Sequence, residues 1–358
     1  MKVIIAGGGT GGHLFPGIAI AEEFLKRDQN NNILFIGTER GLEKRILGDL
    51  GFNLATLDVE GIKGKGMIKA ISALWKIPRS LMRSYRLIRE FRPDIVIGVG
   101  GYSSGPVVMA AHFMGIKTAV AEQNALPGIT NRILGKFVDK IFITFSETKE
   151  WFAGTKTTVS GNPVRAAFFK GGHESKRGMG KFTLLIFGGS QGAHAINMTV
   201  LDALPYLEGI KINLKIIHQT GGVDLKIVSE TYQSKGFDAE VLPFITDMAQ
   251  AYGYSDLLIC RAGATSIAEV TACGKASILI PFPYAANDHQ TKNAEALVKA
   301  GAAVLIREAD LDSKKLAEVV HHFYSHPEII REMEIKSASL GNKKAAADIV
   351  NICVGMVT

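Results

Sequence analysis

Short, uninterrupted apolar runs alternate along the whole chain with longer stretches in which apolar residues recur every three or four positions. A continuous Val/Ile/Leu run without polar alternation reads as a strand buried on both faces, and the longer stretches read as helices covering it. In the first half this pattern predicts strands at Lys2–Ala6, Asn32–Ile36, Ala55–Leu57, Asp94–Gly98, Lys117–Ala121, Lys140–Thr144 and Thr157–Val159. In the second half it predicts them at Phe182–Phe187, Leu214–His218, Glu240–Leu242, Leu257–Cys260, Ser277–Ile280 and Ala303–Ile306. Strands joined through helices form parallel sheets, so the fold class is α/β with a doubly wound sheet in each half.

The halves echo each other. Lys2–Ala6 runs into Gly7-Gly8-Gly9-Thr10-Gly11-Gly12-His13, and Phe182–Phe187 runs into Gly188-Gly189-Ser190-Gln191-Gly192-Ala193-His194. A later pair matches as well: Gly98-Val99-Gly100-Gly101-Tyr102-Ser103-Ser104-Gly105 and Cys260-Arg261-Ala262-Gly263-Ala264-Thr265-Ser266. Tandem related domains are expected. At 358 residues the chain also exceeds the ~250 residues near which single cores stop growing. The expected division is 1–163 and 164–341, at Ser160-Gly161-Asn162-Pro163, with a final helix over 342–358 after Gly341-Asn342. The polar stretch Lys170–Lys181 is expected to be a surface loop.

Composition narrows the compartment and partners. Three scattered cysteines, Cys260, Cys273 and Cys353, fit buried thiols in a reduced cytosol rather than a disulfide framework. Few apolar residues precede the first glycines, which does not match a signal peptide. Ile95–Ile116 carries no charge, but its glycines and Pro106 make it strand, loop and buried helix rather than a membrane span. The net charge of +7 is local. Between Gly61 and Arg92 nine Lys/Arg face Glu90 alone, a charge of +8, which leaves −1 for the remainder. Within that stretch Met67, Ile71, Leu74, Pro78, Leu81 and Tyr85 form one helical stripe, and Lys69, Lys76, Arg79, Arg83 and Arg86 another. A basic amphipathic helix carrying Trp75 points to an anionic membrane surface. Nucleic acid is disfavoured, since no motif for binding it is present.

A strand, a glycine turn and a helix start together place backbone N–H groups and a helix dipole where they can hold phosphate. Gly7-x-Gly9-x-x-Gly12 also fits the dinucleotide pattern, for which Glu39 would be the ribose carboxylate. A second phosphate loop is not something a hydride-transfer enzyme needs, so that reading is a distant second; a non-catalytic scaffold for nucleotide and lipid is a further alternative. His13 follows the glycines directly and is a candidate catalytic group. His194, its echo, reads as a helix-start residue. Glu269 stands one turn into the helix that begins at Gly263-Ala264-Thr265, where a carboxylate can accept two bonds from a ribose diol; the plain alternative is a surface glutamate. Pro281–Gln290 and Glu122-Gln123-Asn124 offer the mixed donors and acceptors that sugar hydroxyls need. No metal-ligand set is apparent: Asp310-Leu311-Asp312 precedes a helix at Ser313, where an acid is a normal N-cap.

Taken in order, these motifs resemble the MurG family, the N-acetylglucosaminyltransferases of bacterial peptidoglycan synthesis. The set comprises Gly8–His13, Gly100–Pro106, Glu122-Gln123-Asn124, Gly188–Ala193, Arg261–Thr265 and Asp288-His289-Gln290, and it covers essentially the whole chain with no motif broken. The resemblance implies a GT-B fold, two Rossmann-like domains separated by a cleft, with the C-terminal helix packing back on the first. It implies inverting, metal-independent and cofactor-free transfer from UDP-N-acetylglucosamine to the 4-hydroxyl of undecaprenyl-diphospho-N-acetylmuramoyl-peptide. The enzyme would be peripheral, on the cytoplasmic face of the cell membrane.

The same resemblance implies site roles. Ile245 would offer backbone groups to uracil and Glu269 would take the ribose hydroxyls. Ser190 and the helix start at Ala264 and Thr265 would meet the diphosphate, and Arg165 the nucleotide. Gln290 and Asn124 would bind sugar hydroxyls. Thr10, Gly11 and Gly12 would approach the donor sugar, and the Tyr102 loop would cradle the acceptor diphosphate. His13 is the expected general base, with Glu122 as its rival.

Overall fold

A computed structural model describes residues 1–8, 11–38, 42–58, 67–170, 180–285 and 288–358. Thr10, Glu39 and most of the expected 170–181 loop lie outside these residues. Contacts divide the chain into unit 1, Met1–Arg165 with Asn342–Thr358, and unit 2, Ala166–Gly341.

Unit 1 runs β1 (Lys2–Ala6), α1 (Gly11–Arg27), β2 (Asn32–Thr38), α2 (Leu42–Asp49), β3 (Asn53–Leu57), α3 (Met67–Phe91), β4 (Ile95–Gly98), α4 (Ser104–Phe113), β5 (Lys117–Glu122), α5 (Ile129–Leu134), β6 (Lys140–Ile143) and β7 (Thr157–Val159). Among the described residues its strands form one parallel sheet in the order β3-β2-β1-β4-β5-β6-β7. Strand periodicity sends Val3 and Ile5 to one face with Ile95 and Ile97, against Leu14, Ile18 and Phe24 of α1. Ile4 and Ala6 go to the other face, with Val96 and Val120, against Val107, Val108 and Ala111 of α4. Both faces are therefore dry, which is why the strands read as unbroken apolar runs.

Unit 2 runs α6 (Ala167–Lys170), β8 (Phe182–Phe187), α7 (His194–Ala203), β9 (Leu214–Gln219), α8 (Gly221–Lys235), β10 (Asp238–Leu242), α9 (Met248–Tyr254), β11 (Leu257–Cys260), α10 (Ala264–Cys273), β12 (Ser277–Leu279), α11 (His289–Lys299), β13 (Ala303–Leu305), α12 (Ser313–Ser325) and α13 (Pro327–Leu340). Its strands are parallel in the order β10-β9-β8-β11-β12-β13. The chain then returns to unit 1 as α14 (Ala345–Val357). Ile349, Val350 and Cys353 of α14 join the core beneath α1, and Arg27 clamps the helix through Asn351 Oδ1 at 2.7 Å and the Ala347 carbonyl at 2.8 Å.

Each expected strand is present, with ends displaced by no more than two residues as pairing with a neighbour extends them. The three cysteines are free and buried. Asp312 caps α12 by accepting the Lys315 N–H at 2.9 Å. In the described part of α3 the buried face is Ser80, Ser84 and Ile88, whereas Pro78 and Tyr85 of the apolar stripe are exposed. Small serines let α3 lie close on its neighbours, and the Ser84 hydroxyl bonds back to the Ser80 carbonyl at 2.7 Å. Among the described residues no helix is long and apolar enough to cross a membrane.

Candidate active site

In open parallel sheets, ligands bind beyond the carboxyl ends of the strands, where strand order reverses. In unit 1 that point lies between β1 and β4, and in unit 2 between β8 and β11. All four glycine motifs emerge there.

In unit 1 the two glycine loops interlock. Gly100 and Gly101 have φ of 93° and 82°, in the left-handed region that favours glycine. A Cβ on Gly101 would strike the Gly8 carbonyl, and one on Gly100 would come 2.7 Å from His13 Nδ1. Gly11 and Gly12 open α1, so His13 stands in its first turn, half-buried, with Nδ1 3.4 Å from Gln123 Oε1. Glu122, at the end of β5, is a structural hub. One carboxylate oxygen accepts the Asn124 N–H (2.9 Å) and Asn124 Nδ2 (3.2 Å); the other accepts the Gly128 N–H (3.0 Å) and Asn131 Nδ2 (2.9 Å). Four donors thus converge on this buried carboxylate. Asn124 is thereby pinned by its side-chain nitrogen. Arg165 places its guanidinium 5.0 Å from the Phe15 ring on α1. Burial pushes the Glu22 carboxyl up, and the positive charge of Arg165 opposes this.

In unit 2 the Gly188–Gly192 loop leads to α7, and Ser190 is exposed on it. Gly192 and Gly221, with φ of 78° and 77°, pack reciprocally: a Cβ on the first would overlap the Thr220 carbonyl, and on the second the Gln191 carbonyl. Gln219, buried at the end of β9, ties this loop to the next. Its Nε2 donates to the Gly189 carbonyl at 2.8 Å, and its Oε1 accepts the Ile245 N–H at 2.7 Å. The Ile245 N–H is thus engaged within the protein. Gly263 caps α10 in extended conformation with no side-chain cap, and buried Ala264 and half-buried Thr265 follow. Glu269 is 8% exposed, not a surface residue, and accepts from the Tyr252 hydroxyl at 3.4 Å. Burial, then the Glu269 charge, holds the Tyr252 phenol and the Cys260 thiol in their neutral forms.

Beyond β12, buried Arg261 donates to the Ile280 and Pro281 carbonyls (3.2 and 3.1 Å), pairs with Glu308 and stacks on Phe282 at 5.3 Å. It shapes the turn that precedes Gln290, whose Oε1 accepts the Phe282 N–H at 2.9 Å. Asp288 adopts φ 54° before α11 and accepts from Thr291 at 2.6 Å. His194 pairs with Asp224 at 3.0 Å with its side chain 74% exposed. Among the described residues no cluster of three or more His, Cys, Asp or Glu could hold a metal. Sequence reasoning gave no role to Gln219, Asn197, Asp224 or His218; the signal for His218 and Gln219 was the polar run His218-Gln219-Thr220 closing an apolar strand.

Residues 3–143 match the N-terminal domain of glycosyltransferase family 28, and residues 183–351 match its C-terminal domain. A protein of Syntrophus aciditrophicus (strain SB), named UDP-N-acetylglucosamine--N-acetylmuramyl-(pentapeptide) pyrophosphoryl-undecaprenol N-acetylglucosamine transferase, is 62% identical over 357 residues, spanning 100% of this chain and 99% of its own. The chain belongs to glycosyltransferase family 28. A relative of the same name from Myxococcus xanthus (strain DK1622) is 50% identical over 100% of this chain and 93% of its own. Among solved structures, Acinetobacter baumannii MurG superimposes with a TM-score of 0.77 at 30% identity, covering 99% of both chains. The UDP-GlcNAc 2-epimerase of Neisseria meningitidis, solved with UDP-GlcNAc, reaches 0.70 at 14% identity over 99% of this chain and 100% of that one; it shares the fold.

Proposed function

We propose that this chain transfers N-acetylglucosamine from UDP-N-acetylglucosamine to the 4-hydroxyl of undecaprenyl-diphospho-N-acetylmuramoyl-peptide, with inversion and without a metal ion. The observation that carries the reading is full-length identity of 62% to a protein named for that transfer. The glycine loops at both sheet reversals support it, since they offer fixed N–H dipoles to phosphate.

In this reading unit 2 holds the donor. Ser190 and the start of α10 at Ala264 and Thr265 take the diphosphate, Glu269 the ribose hydroxyls, and the Ile245 carbonyl the uracil. Gln290 and Asn124 bind sugar hydroxyls, Arg165 the nucleotide, and Thr10, Gly11 and Gly12 approach the donor sugar. His13 accepts the proton of the 4-hydroxyl as that oxygen bonds to the anomeric carbon. The bond from that carbon to the β-phosphate oxygen breaks, and its electron pair leaves with UDP. One displacement turns an α-linked donor into a β-1,4 product.

The acceptor is lipid-borne, so the reading includes peripheral attachment to the anionic cytoplasmic face of the membrane. Arg79, Arg83, Arg86 and Arg89 are exposed on α3, with Met82 and Tyr85 between them. Phe113 of α4 and Ile129 and Ile133 of α5 are also exposed. A basic surface with protruding apolar side chains is what such a membrane attracts.

The test is transfer of labelled N-acetylglucosamine to a lipid-linked acceptor. The expected result is a β-linked product, turnover unchanged by EDTA, and a His13→Ala variant with kcat reduced about 10²–10⁴-fold but donor affinity retained. The competing nicotinamide reading, which rested on Glu39, predicts stabilisation by NADH and none by UDP; that outcome, or absence of transfer by folded protein, overturns the proposal.

A further inference from the structure

Gln123 follows Glu122 at the end of β5. It is 1% exposed, and its amide is oriented by its surroundings. Its Nε2 donates to the Ala121 carbonyl at 3.1 Å. The reverse orientation would set Oε1 against that carbonyl, oxygen to oxygen, with no proton between them. Asn131 Nδ2 also donates to the Ala121 carbonyl at 3.1 Å, which marks that site as one that receives donors. Gln123 Oε1 therefore faces outward, 3.4 Å from His13 Nδ1.

An amide oxygen only accepts, so the imidazole must present N–H at Nδ1 to bond with it. We infer that Gln123 is a positioning residue for His13: it holds the imidazole in the Nδ1-protonated tautomer and leaves the lone pair on Nε2. A neutral amide does this without adding a charge beside the ring. Gly100 completes the seat, because a Cβ there would lie 2.7 Å from Nδ1 and 2.8 Å from Cε1. The buried edge of the ring is thus the Nδ1–Cε1 edge. On the proposed transfer reaction, upon which the catalytic half of this inference rests, the proton of the acceptor hydroxyl arrives on Nε2. The resulting imidazolium keeps its Nδ1–H bond to Gln123, so no rearrangement accompanies proton transfer.

The experiment has two arms on the full chain. The first is NMR of protein labelled with ¹⁵N-histidine, with the His13 signals assigned by their loss in His13→Ala. The expected result is the Nδ1-protonated tautomer in the unmodified chain at high pH, shifting to a mixture or to the Nε2-protonated form in Gln123→Leu. An Nε2-protonated ring in the unmodified chain, or the same tautomer with and without Gln123, overturns the inference. Should Gln123→Leu fail to fold, Gln123→Glu serves. Its carboxylate still accepts from Nδ1 and adds a negative charge, so the tautomer should persist and the acidic limb of the pH–rate profile should move up by about one unit. A limb that stays put counts against the contact. The second arm is kinetic: Gln123→Leu should lower kcat about tenfold with the donor KM within twofold. A shifted tautomer with unchanged kcat removes His13 from the base role while leaving the tautomer assignment standing, so the two failures are separable.

Discussion

At the scale of single residues, one chain of buried polar groups, His218, Tyr232, Asn197 and Asp224, makes unit 2 acid-sensitive. His218 Nδ1 lies 3.0 Å from the Tyr232 hydroxyl and Nε2 3.0 Å from Asn197 Oδ1. Asn197 Nδ2 donates to the Thr220 carbonyl and to Asp224 Oδ2, so its oxygen must face the histidine, which then carries its proton on Nε2. Burial pushes the His218 pKa down from 6.5 to about 3, against the pull of Asp224. Above pH 6.5 neither folded nor unfolded chain protonates this ring, and its contribution to stability is fully present. Below that the unfolded chain takes up a proton and the folded one does not, so stability falls by about 1.4 kcal/mol per pH unit toward pH 3. Urea unfolding at a series of pH values should therefore show a shallower acid dependence for His218→Gln, by about one proton, whatever its starting stability. Equal slopes in the two proteins would remove His218 as the acid-sensitive group.

At the scale of elements, the Gly188–Gly192 loop of unit 2 is set by a backbone contact between two glycines from different strand ends. Gly192 and Gly221 each sit where a side chain would overlap the other segment's carbonyl, and both have positive φ. Gly192→Ala should cost at least ~1–2 kcal/mol from the left-handed backbone alone, with more from the overlap. Its melting temperature should fall by several degrees and its affinity for UDP by tenfold or more in calorimetry. The neighbouring Gly222 has open space around it, so Gly222→Ala is the matched control and should change neither. A Gly192→Ala protein that behaved like the control would show that this glycine contact does not shape the loop.

At the scale of the whole molecule, charge is the property with a consequence. One segment carries more positive charge than the whole chain's net charge, and α3 exposes its arginines rather than pairing them into a core. Basic residues at an anionic surface contribute about 1 kcal/mol each, so reversing Arg79, Arg83 and Arg86 to Glu should weaken binding to phosphatidylglycerol vesicles at least 10²-fold. The unmodified chain should bind more weakly as salt rises, because the attraction falls off over a Debye length of about 8 Å at physiological ionic strength. Transfer to a short-chain soluble acceptor should survive the reversal. Vesicle binding that persisted after reversal would make α3 an ordinary solvated face.

The strands, their parallel pairing, the twofold architecture and the position of each glycine loop were legible in the chain. A strand buried on both faces has no polar face to conceal its pattern, and a turn needing positive φ must use glycine. The N-cap role of Asp312 was legible for the same local reason. The burial of Glu269, the four donors converging on Glu122 and the capture of the Ile245 N–H by Gln219 were not. Each depends on residues far apart in sequence that meet only when the sheet forms. Which face of α3 turns inward was likewise not legible, because helical spacing repeats alike for a stripe of serines packed close and a stripe of tyrosines left outside. Local stereochemistry and hydrophobic period are properties of short segments, so the amino-acid order alone determined the framework. Which polar group satisfies which is a property of three-dimensional proximity, so only the folded chain decided it.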